Sequence, residues 1–346
     1  MKKINKIGCT ESMSKRMKLI KGLSAVFMTA LIILSATACG NGYNNEESTN
    51  DNYGLITVGF SQADFTESDW RIANTESMRV ALSPEMGFDL IIIDAQNDPN
   101  KQLSDVASLI AQGVDYIVIA TVQEIGWEAT LQQAYDAGIP VILLDRTADV
   151  SDDLFLAWVG ADFREEGETA VRWLQEFHGS DVRAVHLQGI MGSTAQMGRT
   201  GAFEDGAIAN GWTIHATMTA NWDTYQAKEV MAQWLIQFPD INVVYAENDN
   251  MAYGAILAIE AAGLTAGGYD GITVISFDAN RRFLQLAYDT GRINFNVECN
   301  PLHGPRMAEL ILALERGESI DRINYVHGDA FDWRYLTQEI IDARAY

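Results

Sequence analysis

The chain is short of cysteine, proline and lysine, and each shortage removes a class of function. Its 346 residues include three cysteines, Cys9, Cys39 and Cys299. No CxxC pair and no cysteine–histidine cluster has zinc-ligand spacing, so no metal site is expected. Cys9 lies in a leader-like stretch and nothing in the spacing pairs Cys39 with Cys299, so no disulfide is expected either. The five histidines stand apart from one another and read as surface or structural residues. Of the six prolines, Pro84, Pro140 and Pro239 fall at the ends of patterned stretches, where a missing N–H costs least.

Positive charge is scarce as well. Lys+Arg number 24 against 47 Asp+Glu, a formal net charge of −23. Seven of those bases and one of those acids lie in the first 38 residues, leaving 17 bases against 46 acids and, as lysines, Lys101 and Lys228 alone. Such a surface repels nucleic acid and anionic membranes. Also absent are the Gly-x-Ser-x-Gly nucleophile elbow, the phosphate-binding loop and the Gly-x-Gly-x-x-Gly turn, so no cofactor is expected. Asp145 and Asp278 could be drawn as a glycosidase pair. Each sits beside an arginine or a turn residue, however, which is expected to hold it ionised rather than raise its pKa. The chain is expected not to be an enzyme.

What is present begins with a targeting segment. Lys15, Arg16, Lys18 and Lys21 precede an uncharged apolar run, Gly22 to Ala38, that ends in Ser35-Ala36-Thr37-Ala38 before Cys39. That order is secretory signal architecture over residues 1–38. Ala-Thr-Ala-Cys resembles a bacterial lipobox, with Ala36 where leucine is usual, which makes Cys39 the expected lipidation site and membrane tether. Residues 39–53, rich in Asn, Glu, Ser and Thr, read as a disordered tether.

From Leu55 onward strands and helices alternate. Strands are expected at 55–60, 88–94, 114–120 and 141–144, with helices at 70–83, 100–112 and 127–137 between them. Single-helix connections between consecutive strands demand right-handed crossovers in a parallel sheet. The pattern restarts with an extended run at 155–160 and continues through helices at 165–177, 199–210, 225–237, 251–262 and 280–290. The strands of this half are expected at 184–187, 212–219, 243–246, 272–277 and 293–297, and a further helix at 305–316. The fold class is therefore α/β, two doubly wound parallel-sheet lobes joined by a hinge of several crossings. The first lobe is expected to span 54–147 plus about 299–328, and the second 148–298 plus about 329–346.

Several strands end in polar residues, and open α/β sheets bind ligands beyond the carboxyl ends of their strands. Ile139-Pro140-Val141-Ile142-Leu143-Leu144-Asp145-Arg146 shows this most sharply. Asp145, Arg146, Arg199, Asn248, Asp278 and Glu298 supply fixed donors and acceptors, and Trp70 and Trp222 supply flat apolar plates. That combination suits a polyhydroxylated ring.

The order of motifs resembles the bacterial type I periplasmic sugar-binding proteins, the ribose- and galactose-binding group, and within it galactofuranose-binding importer components. The stretches that carry the resemblance are Val58 to Gln62, Glu67-Ser68-Asp69-Trp70-Arg71, Gly126-Trp127-Glu128, Leu143 to Arg146, Leu187-Gln188-Gly189, Arg199, Val244 to Asp249, Phe277-Asp278 and Val297-Glu298 before Pro301. They run in register over about residues 55–306. The resemblance implies Trp70 stacking and Arg71 donating from the first lobe, with Asp145 and Arg146 on ring hydroxyls near the first crossing. Arg199, Asn248 and Asp278 would come from the second lobe, Glu298 from the last crossing, Trp222 as a second plate and Gln188 as a further contact. Glu247 and Gly160 depart from the histidine and threonine expected there, which implies a widened pocket. The resemblance further implies hinge closure around one monosaccharide and delivery to the permease subunits of an ABC importer by an extracytoplasmic monomer. A regulator with this fold would carry an N-terminal helix-turn-helix, and here a signal segment stands in its place. Service to a membrane sensor kinase or chemoreceptor remains the alternative.

Overall fold

Short aliphatic runs with no polar face can be satisfied only inside a sheet covered on both sides, and here they become parallel strands. The computed structural model describes residues 54–346. The signal segment, Cys39 and the tether expected over residues 1–53 lie outside the described residues. In chain order the first half runs β1 (Ile56–Gln62), α1 (Asp69–Ala81), β2 (Phe88–Asp94), α2 (Pro99–Gln112), β3 (Tyr116–Ile119), α3 (Glu128–Asp136), β4 (Val141–Leu144) and β5 (Ala157–Gly160). The second half runs α4 (Phe163–His178), β6 (Arg183–Gln188), α5 (Thr194–Asn210), β7 (Thr213–Thr219), α6 (Thr224–Gln237), β8 (Val243–Ala246) and α7 (Asp249–Ala261). It continues with β9 (Thr273–Phe277), α8 (Arg281–Thr290), β10 (Phe295–Val297), α9 (Gly304–Glu315), β11 (Ile323–Tyr325), β12 (Ala330–Asp332) and α10 (Gln338–Asp342).

Two six-stranded sheets result, ordered β11-β5-β4-β3-β1-β2 and β12-β10-β9-β8-β6-β7. Leaving aside the edge strands β11 and β12, the two orders are the same, so the lobes are built to one plan. Every ladder is parallel except β10 with β12. Each sheet carries an apolar cluster on either face. The chain passes between lobes three times: from β5 to α4, from β10 to α9, and from β11 to β12.

The first passage differs from the boundary expected at 147/148. Residues Ala157–Gly160 pair with β4 (Ile142↔Ala157, Leu143↔Trp158, Leu144↔Val159) and so belong to the first sheet. Ala157 and Val159 are buried with Ile142 and Leu144 in one cluster, and that burial sets the strand's allegiance. The edge strands β11 and β12, three residues each, are too short to show a period and were not expected.

Helix starts also move, because capping residues sit ahead of the first apolar position. The Ser193 hydroxyl accepts from the Gln196 N–H and starts α5 at Thr194, which places Arg199 inside the helix instead of at its beginning. Such a cap is worth about 1 kcal/mol. Ser68, Asp162 and Asn248 start α1, α4 and α7 in the same way.

Candidate functional site

The polar ends of the strands meet in one cleft between the lobes. The first lobe lines it with Glu67, Ser68, Trp70, Arg71, Asp145 and Arg146. The second lobe contributes Phe163, Ala195, Arg199, Trp222, Asn248 and Asp278, and Cys299 comes from the passage after β10. Contacts between the lobes bridge its rim. On one side the Asp69 N–H donates to Asn250 Oδ1 at 3.3 Å and Arg282 stands 3.4 Å from the Asp69 carboxylate. On the other, the Thr147 N–H donates to Thr194 Oγ1 at 3.3 Å and the Glu124 N–H to the Gly192 carbonyl at 3.4 Å.

The first-lobe half is a ring of alternating charges. Arg71 donates through Nη2 to Asp145 at 2.7 Å and through Nε to Glu67 at 3.2 Å. Arg146 grips both oxygens of the same Glu67 through Nη2, at 2.8 and 3.0 Å. Burial works against the Asp145 charge, but Arg71 and Arg146 outweigh it and hold this carboxyl below its usual range. Arg71 is likewise raised: burial disfavours its charge, and Asp145 and Glu67 more than restore it. Trp70 donates its indole N–H to the Cys299 carbonyl, and the Arg71 guanidinium lies 4.7 Å from its ring centre.

The second-lobe half is looser. Arg199 donates through Nε to Glu166 at 2.9 Å and also reaches the Glu247 carbonyl, while Asp278 stands 3.6 Å from it. Burial pushes the Asp278 carboxyl well above its usual range, with Arg199 pulling the other way and Asp249, Glu166 and Asp145 adding to the rise. The expectation that its neighbours keep the Asp278 pKa from rising is thus corrected: its arginine is too far away to offset full burial. Asn248 caps α7 through Oδ1 to the Met251 N–H at 2.8 Å and donates to the Trp222 carbonyl at 3.4 Å.

Three buried donors at the cleft, Arg71 Nη1, Arg146 Nε and Trp222 Nε1, make no hydrogen bond to any described residue. A buried donor without an acceptor is costly, on the order of 1–3 kcal/mol. The lining therefore asks for a ligand rich in acceptors. Glu67 and Asp145 pair with Arg71 and Arg146, and Glu166 pairs with Arg199, so three carboxylates answer three guanidinium groups. Charges balanced in this way suit a neutral guest.

Eight of the ten residues singled out by sequence line the cleft: Trp70, Arg71, Asp145, Arg146, Arg199, Trp222, Asn248 and Asp278. Gln188 and Glu298 do not. Gln188 is buried beneath the floor, where its amide donates to the Thr200 hydroxyl at 2.9 Å. Glu298 lies at the middle passage, not the last. It accepts from the Asp329 N–H at 2.8 Å and the Tyr346 hydroxyl, and pairs with Arg344 at 2.6 Å.

The two departures do not widen the pocket. Glu247 is fully buried under the floor, paired with His186 at 2.9 Å and taking the Thr200 hydroxyl at 2.6 Å and the Gly189 N–H at 2.7 Å. The space beside Gly160 is filled by the Trp158 ring: a β-carbon there would lie 2.4 Å from it. That indole donates to the Asp145 carbonyl at 3.0 Å and helps hold Asp145 at φ 60°. Gly189 similarly leaves room for Trp222, whose ring would be 1.9 Å from an added β-carbon.

Sequence reasoning passed over Glu67, Ser68, Phe163, Ala195 and Cys299 as lining residues. Glu67 had a usable signal, since it stands four residues before Arg71 in the order that pairs charges on a helix. The others touch the cleft through packing, which leaves no mark in a single sequence.

Comparison with known proteins agrees with this architecture. Residues 58–317 match the periplasmic binding protein domain. The galactofuranose-binding protein YtfQ of Escherichia coli is 38% identical over 258 residues, 72% of this chain and 79% of that protein. A Mycobacterium smegmatis structure in complex with β-D-fucofuranose superposes with a TM-score of 0.77 at 38% identity, covering 81% of this chain and 92% of that one. The binding component of the arabinose ABC transporter of Shewanella sp. ANA-3, bound to α- and β-L-arabinofuranose, gives a TM-score of 0.76 at 32% identity, covering 84% and 99%. The chain belongs to the periplasmic binding protein family, as a binding protein of the type I fold and not an enzyme.

Proposed function

We propose that this protein captures a monosaccharide in its furanose form, galactofuranose or a similar aldose, and delivers it to the permease subunits of an ABC importer. The observation that carries this reading is the set of unpartnered donors on Arg71, Arg146 and Trp222, held within balanced charge and beside two tryptophan rings. A neutral polyol supplies acceptors to those donors, hydroxyl donors to Asp145, and C–H faces to the indoles. The furanose-bound relatives support the ring form.

Capture proceeds by closure. The ligand first meets the rigid Glu67–Arg71–Asp145–Arg146 ring. Rotation about the three passages then brings Arg199, Trp222, Asn248 and Asp278 onto it. Binding energy selects the closed state, in which Asp69 meets Asn250 and Thr147 meets Thr194. The importer's membrane subunits read that state. The protein acts as an extracytoplasmic monomer anchored through a lipidated Cys39. Among the described residues no helix is long and apolar enough to cross a membrane.

Tryptophan fluorescence tests the class of ligand, because Trp70 and Trp222 both line the cleft. Titration with arabinose, galactose, ribose and glucose is expected to give a saturable change with at least one aldose that populates a furanose form. No change with any sugar would overturn the proposal. Metabolic labelling with a radioactive fatty acid tests the anchor: label is expected on the full chain and lost in Cys39→Ser.

A further inference from the structure

Asp249 opens α7 directly behind the cleft without lining it, is fully buried, and makes no ion pair among the described residues. Four donors meet its carboxylate instead. Oδ1 accepts from the Ser276 hydroxyl at 2.5 Å and Asn296 Nδ2 at 2.6 Å, and Oδ2 accepts from the Asn280 N–H at 2.8 Å and its Nδ2 at 3.1 Å. Asn296 in turn accepts the Ala279 N–H on Oδ1 at 3.0 Å.

These partners bracket one turn. Between Ser276 and Asn280 the chain carries Asp278 and Ala279 at φ 92° and 54°, a backbone region that non-glycine residues avoid. Such residues cost on the order of 1–3 kcal/mol each and persist only where their surroundings fix them. Here the fixing comes from behind, through Asp249 and Asn296, while the Asp278 side chain faces the cleft.

We infer that Asp249 is the positioning residue for Asp278: by gathering the donors of the β9–α8 turn it aims the second-lobe carboxyl at the ligand. This rests on the furanose-binding reading of the cleft and adds a residue to it. Asp249→Asn preserves shape but replaces an acceptor with a donor, which cannot satisfy all four groups. An exchange variant, Asp249→Asn with Asn296→Asp, restores complementary pairing, with the Ser276 hydroxyl turning to accept from the new amide instead of donating. The new amide oxygen faces Asn280, the new amide nitrogen donates to the new carboxylate, and that carboxylate still takes the Ala279 N–H.

The test is calorimetric affinity for methyl β-D-galactofuranoside, L-arabinose and D-ribose, using whichever the unmutated protein binds most tightly, with melting curves alongside. Asp249→Asn is expected to weaken binding about tenfold or more, and the exchange variant to return within about threefold of the unmutated protein. Unchanged affinity in Asp249→Asn would overturn the inference. So would an exchange variant that melts normally yet binds as weakly as the single variant. If Asp249→Asn does not fold, Asn296→Ala takes its place, since it cuts the link to Ala279 and keeps both acids. A tenfold loss there supports the inference and unchanged affinity rejects it. If none of the variants folds, Asp249 serves the whole lobe and not the turn, and the inference fails. Binding of no sugar by the unmutated protein would reject the furanose reading itself, and this inference with it.

Discussion

Asp145 and Asp278 hold the same place in the two lobes. Each follows the fourth strand of its lobe, at φ 60° and 92°, and each donates its N–H across to the fifth, to Val159 at 2.7 Å and Val297 at 2.9 Å. Each faces an arginine from the helix after its lobe's first strand, Arg71 at 2.7 Å and Arg199 at 3.6 Å. The difference in distance separates their chemistry. Asp145 is locked in an ion pair, whereas burial pushes Asp278 well above its usual range.

That asymmetry gives a pH prediction with a definite sign. A carboxyl whose pKa is higher folded than unfolded contributes stability that is fully present below its unfolded value, near 3.8, and lost as pH rises through the folded one. Asp278→Asn removes the charging cost. Its melting temperature is therefore expected to match the unmutated protein at low pH and to exceed it increasingly toward pH 8. Thermal unfolding from pH 3 to 8 checks this, and a gap that closes with rising pH would contradict it.

Arg146→Ala is expected to abolish sugar binding while the protein still folds. The change leaves Glu67 paired with Arg71 alone, and breaking a buried pair costs about 3–5 kcal/mol, so a lower melting temperature should accompany the loss. Calorimetry beside circular dichroism separates the two effects. A folded Arg146→Ala protein that keeps its affinity would remove Arg146 from the site.

Gly160→Thr, which installs the residue expected from the resemblance, should weaken both fold and binding. The new side chain displaces the Trp158 ring and with it the hydrogen bond to the Asp145 carbonyl. A cost of about 1–3 kcal/mol is expected for such overpacking, together with a loss of affinity in ligand titrations. Tighter binding in this variant would show that the site has room for the larger side chain.

Glu298→Gln separates lining residues from residues nearby. Its carboxylate serves Asp329, Tyr346 and Arg344 rather than the cleft. Affinity is expected to stay within about threefold of the unmutated protein, because neither Glu298 nor these partners line the cleft, even if the melting temperature falls. A loss matching that of Arg146→Ala would restore Glu298 as a ligand contact.

The layered α/β architecture was legible in the chain because buried strands such as Val141–Leu144 leave unbroken aliphatic runs, and polar tips such as Asp145-Arg146 mark their carboxyl ends. The passage after Gly160 was hidden, since β5 looks the same whichever sheet it joins and only pairing with β4 decides. Gln188 and Glu298 misled for a related reason. Both are polar strand ends, but Gln188 turns below the floor to Thr200 and Glu298 turns toward the C-terminal residues. Which way a strand-end side chain points depends on partners far away in sequence. The roles of Gly160 and Gly189 lay equally out of reach, because each is defined by an indole that packs over it.

The most direct measurement is isothermal titration of the chain from Asn41 onward with methyl β-D-galactofuranoside and, separately, methyl β-D-galactopyranoside, whose rings are fixed. The expected result is tight one-to-one binding of the furanoside and little or none of the pyranoside. Binding of the pyranoside alone would contradict the furanose claim, and binding of neither, joined to silence with arabinose and ribose, would contradict sugar capture altogether.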